Sequence, residues 1–314
     1  MSRLVERTTL VGYRSGWFLV RRMPARVAYR SFDLLADVAW RRRGKGVERM
    51  RSNYATVRPE LTPAELDALV RAGMRSYLRY WCDSFRLPDR SVDELVEGVR
   101  TIGVDPVRAD LGSGRSAVIF LGHMGNWDFA GAWSTTQLAP VTTVAERLKP
   151  EELFDEFVEF REGLGMRIIA LTGGSDVFRE LTKACRAGAL VALLADRDLT
   201  NGGIEVDFCG ERSRMAVGPA ALALNTGAAL YPAVVHYEPR PQGHSWRTVV
   251  TFHDAVVPPT QGSTREKIQA MTQTCADVLS EGVRAHTQDW HMMQRVFTKD
   301  LRDQHESDRA GHTR

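Results

Sequence analysis

The sequence predicts an α/β fold: a central, mostly parallel mixed sheet flanked by helices, with an N-terminal helical segment that faces a membrane. Three observations predict it. From about Arg115 onward, short strand-type runs alternate with longer helix-type stretches, as in layered folds with crossover helices. The most apolar runs, Ala117–Leu121 and Leu190–Ala195, are only strand-length. Ahead of them stands an arginine-rich stretch interleaved with aromatic and aliphatic residues. The 314 residues exceed an average domain but fit one large α/β unit, and residues 1–314 are read as a single domain.

Residues 1–45 form the basic amphipathic segment. Arg3, Arg7, Arg14, Arg21, Arg22, Arg26, Arg30, Arg41, Arg42, Arg43 and Lys45 face only Glu6, Asp33 and Asp37. Leu10, Val11, Trp17, Phe18, Leu19, Val20 and Met23 lie among them. An apolar face that enters the headgroup boundary, with each cation gaining about 1 kcal/mol near an anionic surface, suits such a pattern. A core-packing helix with a solvated basic face is the alternative. Thr62 to Leu87 reads as a helix: Thr62 is an N-cap, Pro63 stands at the first helical position and Glu65 at the third. Strands follow at Ala117–Leu121, Val141–Val144, Met166–Leu171, Leu190–Ala195, Leu230–Tyr237 and Trp246–Phe252, with Ile204–Phe208 extended. Helices are expected at Pro150–Gly163, Asp176–Arg186, Gly218–Thr226 and Ser263–Arg284, and a disordered tail at 302–314.

Composition narrows the function. A formal charge of +3 does not announce a nucleic-acid binder, and none is expected as a partner. Cys82, Cys185, Cys209 and Cys275 have neither paired nor metal-finger spacing, which reads as reduced, mostly buried thiols and no metal site. No run approaches the roughly 18 apolar residues of a membrane span, and no secretory leader is evident.

One constellation carries chemistry. His123 follows the strand Ala117–Leu121, flanked by Gly122 and Gly125, with Asn126, Trp127 and Asp128 next. In open α/β sheets, functional groups gather at the carboxyl ends of strands. A loop folding back would bring the Asp128 carboxylate to the imidazole, holding one tautomer and stabilising the imidazolium. The spacing alone is weak: eight histidines and 39 acids in 314 residues give about one chance match. The strand end and the two glycines give it weight. Asp196-Arg197-Asp198, after another apolar strand, also favours a site. Glu146-Arg147 and Arg161-Glu162 read equally well as surface charge, and His291 beside Trp290 as a packing residue.

Leu121-Gly122-His123-Met124-Gly125-Asn126-Trp127-Asp128 resembles the H-x4-D/E block of glycerolipid and lipid A type acyltransferases. Its Gly-Asn-Trp-Asp form is similar to the branch of bacterial lipid A and phosphatidylinositol mannoside acyltransferases. Thr143–Pro150, Glu159–Gly165, Leu171–Gly174, Ala195–Thr200, Val206–Phe208, Ala216–Ala220 and Asp289–Met292 extend the likeness to the second of these, in one order from about Tyr13 to Leu301. The resemblance implies a direct acyl transfer. His123 would be the general base, Asp196 or Asp128 would orient it, and Glu146, Arg161, Asn126 and Arg197 would shape the site or contact substrate. In some relatives Glu is expected at the position of Asp196, one methylene longer. The acceptor would be a mannose hydroxyl of a phosphatidylinositol mannoside and the donor a long-chain acyl-coenzyme A, palmitoyl being the expected length. No other cofactor and no metal are implied. Backbone N–H groups near Gly125 are the expected oxyanion donors. The place of action would be the cytoplasmic face of the plasma membrane, peripherally bound to its anionic surface. Another glycolipid acceptor such as a lipid A precursor, with acyl-carrier protein as donor, is the alternative within the same chemistry. A non-catalytic lipid-binding protein and an acyl-coenzyme A hydrolase are alternatives outside it.

Overall fold

A computed structural model of the chain describes residues 16–147, 151–171, 175–198, 202–240 and 246–300. Residues 1–15 of the basic segment, the expected tail at 302–314, the helix start at Pro150, Lys149, and the blocks around Gly173-Gly174 and Leu199-Thr200 lie outside these.

Among the described residues, four helical segments come first. Residues 16–22 are helical, followed by α1 (Ala25–Arg42), α2 (Lys45–Val57) and α3 (Pro63–Arg86). The expected cap of α3 forms: the Thr62 hydroxyl accepts from the Glu65 N–H, and the Glu65 carboxylate accepts from the Thr62 N–H. α1 packs on α3 through Ala28 and Phe32, which cluster with Cys82 and Val20. Asp37, buried on α1, accepts paired bonds from Arg71 and Arg75 of α3. Those two guanidiniums, through their hydrogen bonds first, hold its carboxyl well below the usual carboxylate range. Trp17 stacks on Phe85 and donates its indole N–H to the Phe85 carbonyl. The N-terminal helices are therefore core-packed on one side. Their other side exposes Phe18, Leu19, Val27, Leu34, Leu35 and Val38. No helix among the described residues is long and apolar enough to cross a membrane.

After α4 (Val92–Gly98) the sheet begins. Its strands are β1 (Val99–Ile102), β2 (Ala117–Leu121), β3 (Val141–Glu146), β4 (Arg167–Leu171), β5 (Leu190–Leu194), β8 (Ala229–Pro239) and β9 (Trp246–Phe252), in the spatial order β1-β9-β8-β2-β5-β3-β4. A separate hairpin joins β6 (Ile204–Phe208) to β7 (Glu211–Met215). The crossing helices are α5 (Asp105–Gly112), α6 (Trp127–Gln137), α7 (Glu151–Gly163), α8 (Ser175–Arg186), α9 (Gly218–Thr226) and, after the last strand, α10 (Thr264–Ala285). Strands β8, β2, β5, β3 and β4 are mutually parallel; β9 pairs antiparallel to β8, and β1 runs with β9. The sheet is thus mixed and mostly parallel.

The layering follows from the period-2 alternation of a strand. Along β2, Val118 and Phe120 enter one core with α2, α3, α9 and α10, while Ala117 and Ile119 enter the opposite core with α4–α6. Both faces are covered, as a parallel sheet requires. The register then positions the site. Leu121 pairs with Leu194 on neighbouring parallel strands, and the Ala195 N–H donates to the Leu121 carbonyl. Two residues further along each strand stand His123 and Asp196.

Candidate active site

His123 and Asp196 meet at the carboxyl end of the sheet. The imidazole Nδ1 lies 2.6 Å from Asp196 Oδ1, and the His123 backbone N–H donates to Oδ2 at 2.8 Å. The Trp290 indole N–H donates to the same Oδ2 at 3.0 Å. Asp196 is fully buried. Burial alone would raise its pKa, but the His123 charge and these hydrogen bonds outweigh burial and hold it below the usual carboxylate value. An ionised Asp196 accepts the Nδ1 proton, which leaves Nε2 of His123 as the basic nitrogen. The shorter Asp side chain therefore reaches the imidazole.

Two glycines let this loop close. A Cβ at Gly122 would stand 3.0 Å from Leu279 and 3.3 Å from Asp196 Oδ2. Gly125, at φ +55°, passes so close to β8 that a Cβ would meet the Val235 carbonyl at 2.8 Å. The Gly125 N–H donates to the Asp289 carbonyl at 2.8 Å. That N–H is consumed by the fold, so Gly125 itself offers no oxyanion donor.

Asp128 does not reach His123. It lies in the first turn of α6, where its carboxylate accepts from Arg161 Nε at 2.7 Å, Arg161 Nη2 at 3.3 Å and the Tyr80 hydroxyl at 2.7 Å. Arg161 is not a solvated surface charge: it is largely buried, lines the cleft and is held by this bond pair. Burial works against its charge, but the Asp128 carboxylate more than compensates and raises its pKa. Asn126 stands behind the cleft. It is fully buried, and its Oδ1 accepts from the Phe129 N–H at 2.9 Å, so it caps α6.

The cleft beside His123 has a volume of about 350 Å³, within the usual range for ligand sites. Trp81, Phe154, Phe157, Val144 and Leu171 give it an apolar wall. Glu146 and Arg197 also line it and are joined at 2.9 Å, and Arg197 reaches Gln294 as well. Strands β3 and β5 bring these two to the same strand ends as His123.

The residues that sequence reasoning passed over come mainly from the segment after α10. Trp290 fixes Asp196. The His291 backbone N–H donates to the His123 carbonyl at 2.8 Å, and Met124 and Trp290 form an antiparallel bridge. Asn53 and Tyr54 of α2 hold this segment by donating to the carbonyls of Met292, Gln294 and Trp290. Tyr80 of α3 lines the cleft and bonds Asp128, and a tyrosine within a long helix carries no sequence signal of that role. The Asp289-Trp290-His291-Met292 block was the one available signal.

The family described as bacterial lipid A biosynthesis acyltransferase matches residues 3–299. The chain belongs to this family. The phosphatidylinositol mannoside acyltransferase of Mycolicibacterium smegmatis (strain ATCC 700084 / mc(2)155) is 41% identical over 298 residues, covering 94% of this chain and 93% of that relative. The protein of the same name from Mycobacterium tuberculosis (strain CDC 1551 / Oshkosh) is 39% identical over 303 residues, covering 96% and 92%. Within the lipid A biosynthesis acyltransferase family, the chain thus aligns with these relatives through both the His123 block and the segment that encloses it.

Proposed function

We propose that this protein transfers a long-chain acyl group, palmitoyl being the expected length, from acyl-coenzyme A to a mannose hydroxyl of a phosphatidylinositol mannoside. One observation carries the chemistry: His123 Nδ1 is held by a buried, ionised Asp196 beside an apolar cleft. His123 Nε2 takes the proton of the acceptor hydroxyl as its oxygen attacks the thioester carbonyl. The tetrahedral adduct collapses, the C–S bond breaks, and the coenzyme A thiolate takes the proton back from the imidazolium. Asp196 stabilises that imidazolium. A thioester is already activated, so neither a covalent enzyme intermediate nor a metal is required, and a positioned base is worth roughly 10²–10⁴-fold. Arg161, fixed by Asp128, and the Glu146–Arg197 pair shape the cleft and contact the head of the substrate.

The names of the relatives support the acceptor. The family description favours a second reading: a lipid A precursor or another glycolipid as acceptor, with acyl-carrier protein as donor. The exposed apolar side chains of 16–42 and their arginines support peripheral binding to an anionic membrane, at the cytoplasmic face where acyl-coenzyme A is found. The test is transfer from radiolabelled palmitoyl-coenzyme A to purified phosphatidylinositol mannoside by wild type and His123→Ala. Label on the glycolipid that is lost in the variant supports the reading. Label that persists removes His123 as base, and no transfer by folded wild type removes this donor–acceptor pair.

A further inference from the structure

Asp196 is fully buried, and among the described residues it pairs with no arginine or lysine. Neutral N–H groups therefore answer its charge until His123 becomes an imidazolium. They are divided unequally between its two oxygens. Oδ1 faces Nδ1 of the imidazole, while Oδ2 accepts from the His123 backbone N–H and the Trp290 indole N–H. Among the described residues, the indole is the only donor to Asp196 from outside His123 itself.

Trp290 is firmly held. It is fully buried and does not line the cleft. Phe208 of β6 and Phe297 meet its ring edge-on, with centroids 5.6 Å and 6.4 Å away. Its backbone bridges to Met124, next to the base, and its carbonyl accepts from the Tyr54 hydroxyl at 2.9 Å. Tyr54 is fully buried on α2 and fits there because Gly73 of α3 has no side chain: a Cβ would stand 2.5 Å from the Tyr54 hydroxyl. A buried indole N–H needs an acceptor; here the acceptor is the carboxylate that holds the base.

That bond bears on the proton transfer. Burial raises the pKa of Asp196, whereas the charge and ring bond of His123, and then the Trp290 bond, lower it. Without the indole, Oδ2 would keep one donor. The carboxylate would be more basic and would hold the Nδ1 proton, and so the imidazolium, more firmly. The other ionisable groups around the pair are occupied or neutral. Arg197 binds Glu146 and Gln294, and Arg161 binds Asp128. His291 bonds Ser76 at 2.9 Å, and burial first, then the charges of Arg79 and His123, push its pKa down to about 3. Asp289 accepts from the Ser76 hydroxyl and the Tyr237 N–H, and burial raises its pKa. Burial also raises Tyr54, Tyr77 and Tyr80, which stay neutral.

We propose that Trp290, braced by Tyr54, is a positioning residue for the proton transfer: its indole N–H holds Asp196 Oδ2, aims Oδ1 at the imidazole, and limits how tightly the carboxylate grips the Nδ1 proton. This inference rests on His123 acting as the base, as proposed above.

The test uses the full chain with palmitoyl-coenzyme A and phosphatidylinositol mannoside, and follows kcat and KM against pH. Trp290→Phe keeps a ring and loses the N–H. Its kcat should fall about 10-fold with KM within about twofold of wild type. The acidic limb of its kcat/KM profile should move up by roughly 0.5–1 pH unit, because the imidazolium persists to higher pH. A merely structural role reduces the folded enzyme and leaves the limb in place. On Asp196→Asn, which has no charge to tune, the same change should cost less than about twofold, a non-additivity that marks the two as one unit. Tyr54→Phe removes only the hydroxyl that braces Trp290. It should move the limb in the same direction by less, and it decides the matter if Trp290→Phe does not fold. An unmoved acidic limb in the folded variants, or a Trp290→Phe loss that adds in full to that of Asp196→Asn, overturns the proposal while leaving the acyl transfer by His123 standing. A wild type that transfers no acyl group, or full activity in His123→Ala, overturns the proposed function itself.

Discussion

Asp196 and Asp128 are both buried carboxylates beside the His123 loop, yet they have different tasks. Asp196 accepts three N–H bonds: the His123 backbone, the His123 ring and the Trp290 indole. Asp128 accepts from the Arg161 guanidinium and the Tyr80 hydroxyl and makes no bond to the imidazole. The nearer residue in sequence is the one that turns away, because it starts a helix whose axis leads it to α3 and α7. The distant residue arrives by strand register. A five-residue spacing therefore marks where the site is, while the tertiary pairing chooses the partner of the base.

Asp196→Asn should lower kcat for acyl transfer by roughly 10²–10⁴-fold with the fold retained, since the imidazole loses both its fixed tautomer and its countercharge. Steady-state rates alongside circular dichroism check this. If Asp128→Asn matched that loss at equal stability, the division of tasks drawn here would be wrong. Asp128→Asn should instead act mainly on stability, because it leaves the largely buried Arg161 uncompensated. Removing one member of a buried pair costs about 3–5 kcal/mol, which chemical denaturation reads directly; an unchanged midpoint would place the pair outside the core of the fold.

Acid sharpens the contrast between partnered and unpartnered polar groups. His236, stacked on His286 with ring centroids 3.6 Å apart, has a buried Nδ1 without a partner among the described residues. Burial first, then the His286 charge, lower its pKa to about 4. Its folded pKa lies below the usual 6.5, so as pH falls the unfolded state binds the proton first. Stability is whole above about pH 6.5 and declines as pH falls toward 4. Thermal melts should show a lower Tm at pH 5 than at pH 7.5, and a smaller drop in His236→Gln; equal drops would exclude this group as the cause. The smallest effect is expected at the surface. Arg22 and Arg26 are exposed, whereas Arg21 is paired with Asp89. Neutralising Arg22 and Arg26 should weaken binding to anionic liposomes by roughly fivefold each, at about 1 kcal/mol per charge. Unchanged sedimentation would remove the membrane role of this face.

Much of the fold could be read locally. Ala117–Leu121, Ile204–Phe208, Gly218–Thr226 and Trp246–Phe252 form at the expected residues, because apolar runs, caps and terminal glycines act within a few residues. β7 escaped notice because Glu211-Arg212-Ser213-Arg214-Met215 has no apolar run, and its pairing with β6 supplies what its composition lacks. His123 was legible from its strand end and its glycines. His291 was not: beside Trp290 it reads as a packing residue, and only its place in the cleft and its Ser76 bond reveal more.

The sequence alone determined the α/β class, the position of His123 after an apolar strand, the capping box that starts α3, and family membership. These depend on side-chain polarity, backbone preference and residue order. The tertiary structure decided that Asp196 rather than Asp128 meets the imidazole, that Arg161 is buried, and that the segment after α10 walls the cleft. Each of these is a contact between parts of the chain far apart in sequence. Such contacts are set by the register of neighbouring parallel strands and by which faces the helices bury, and no local pattern encodes either.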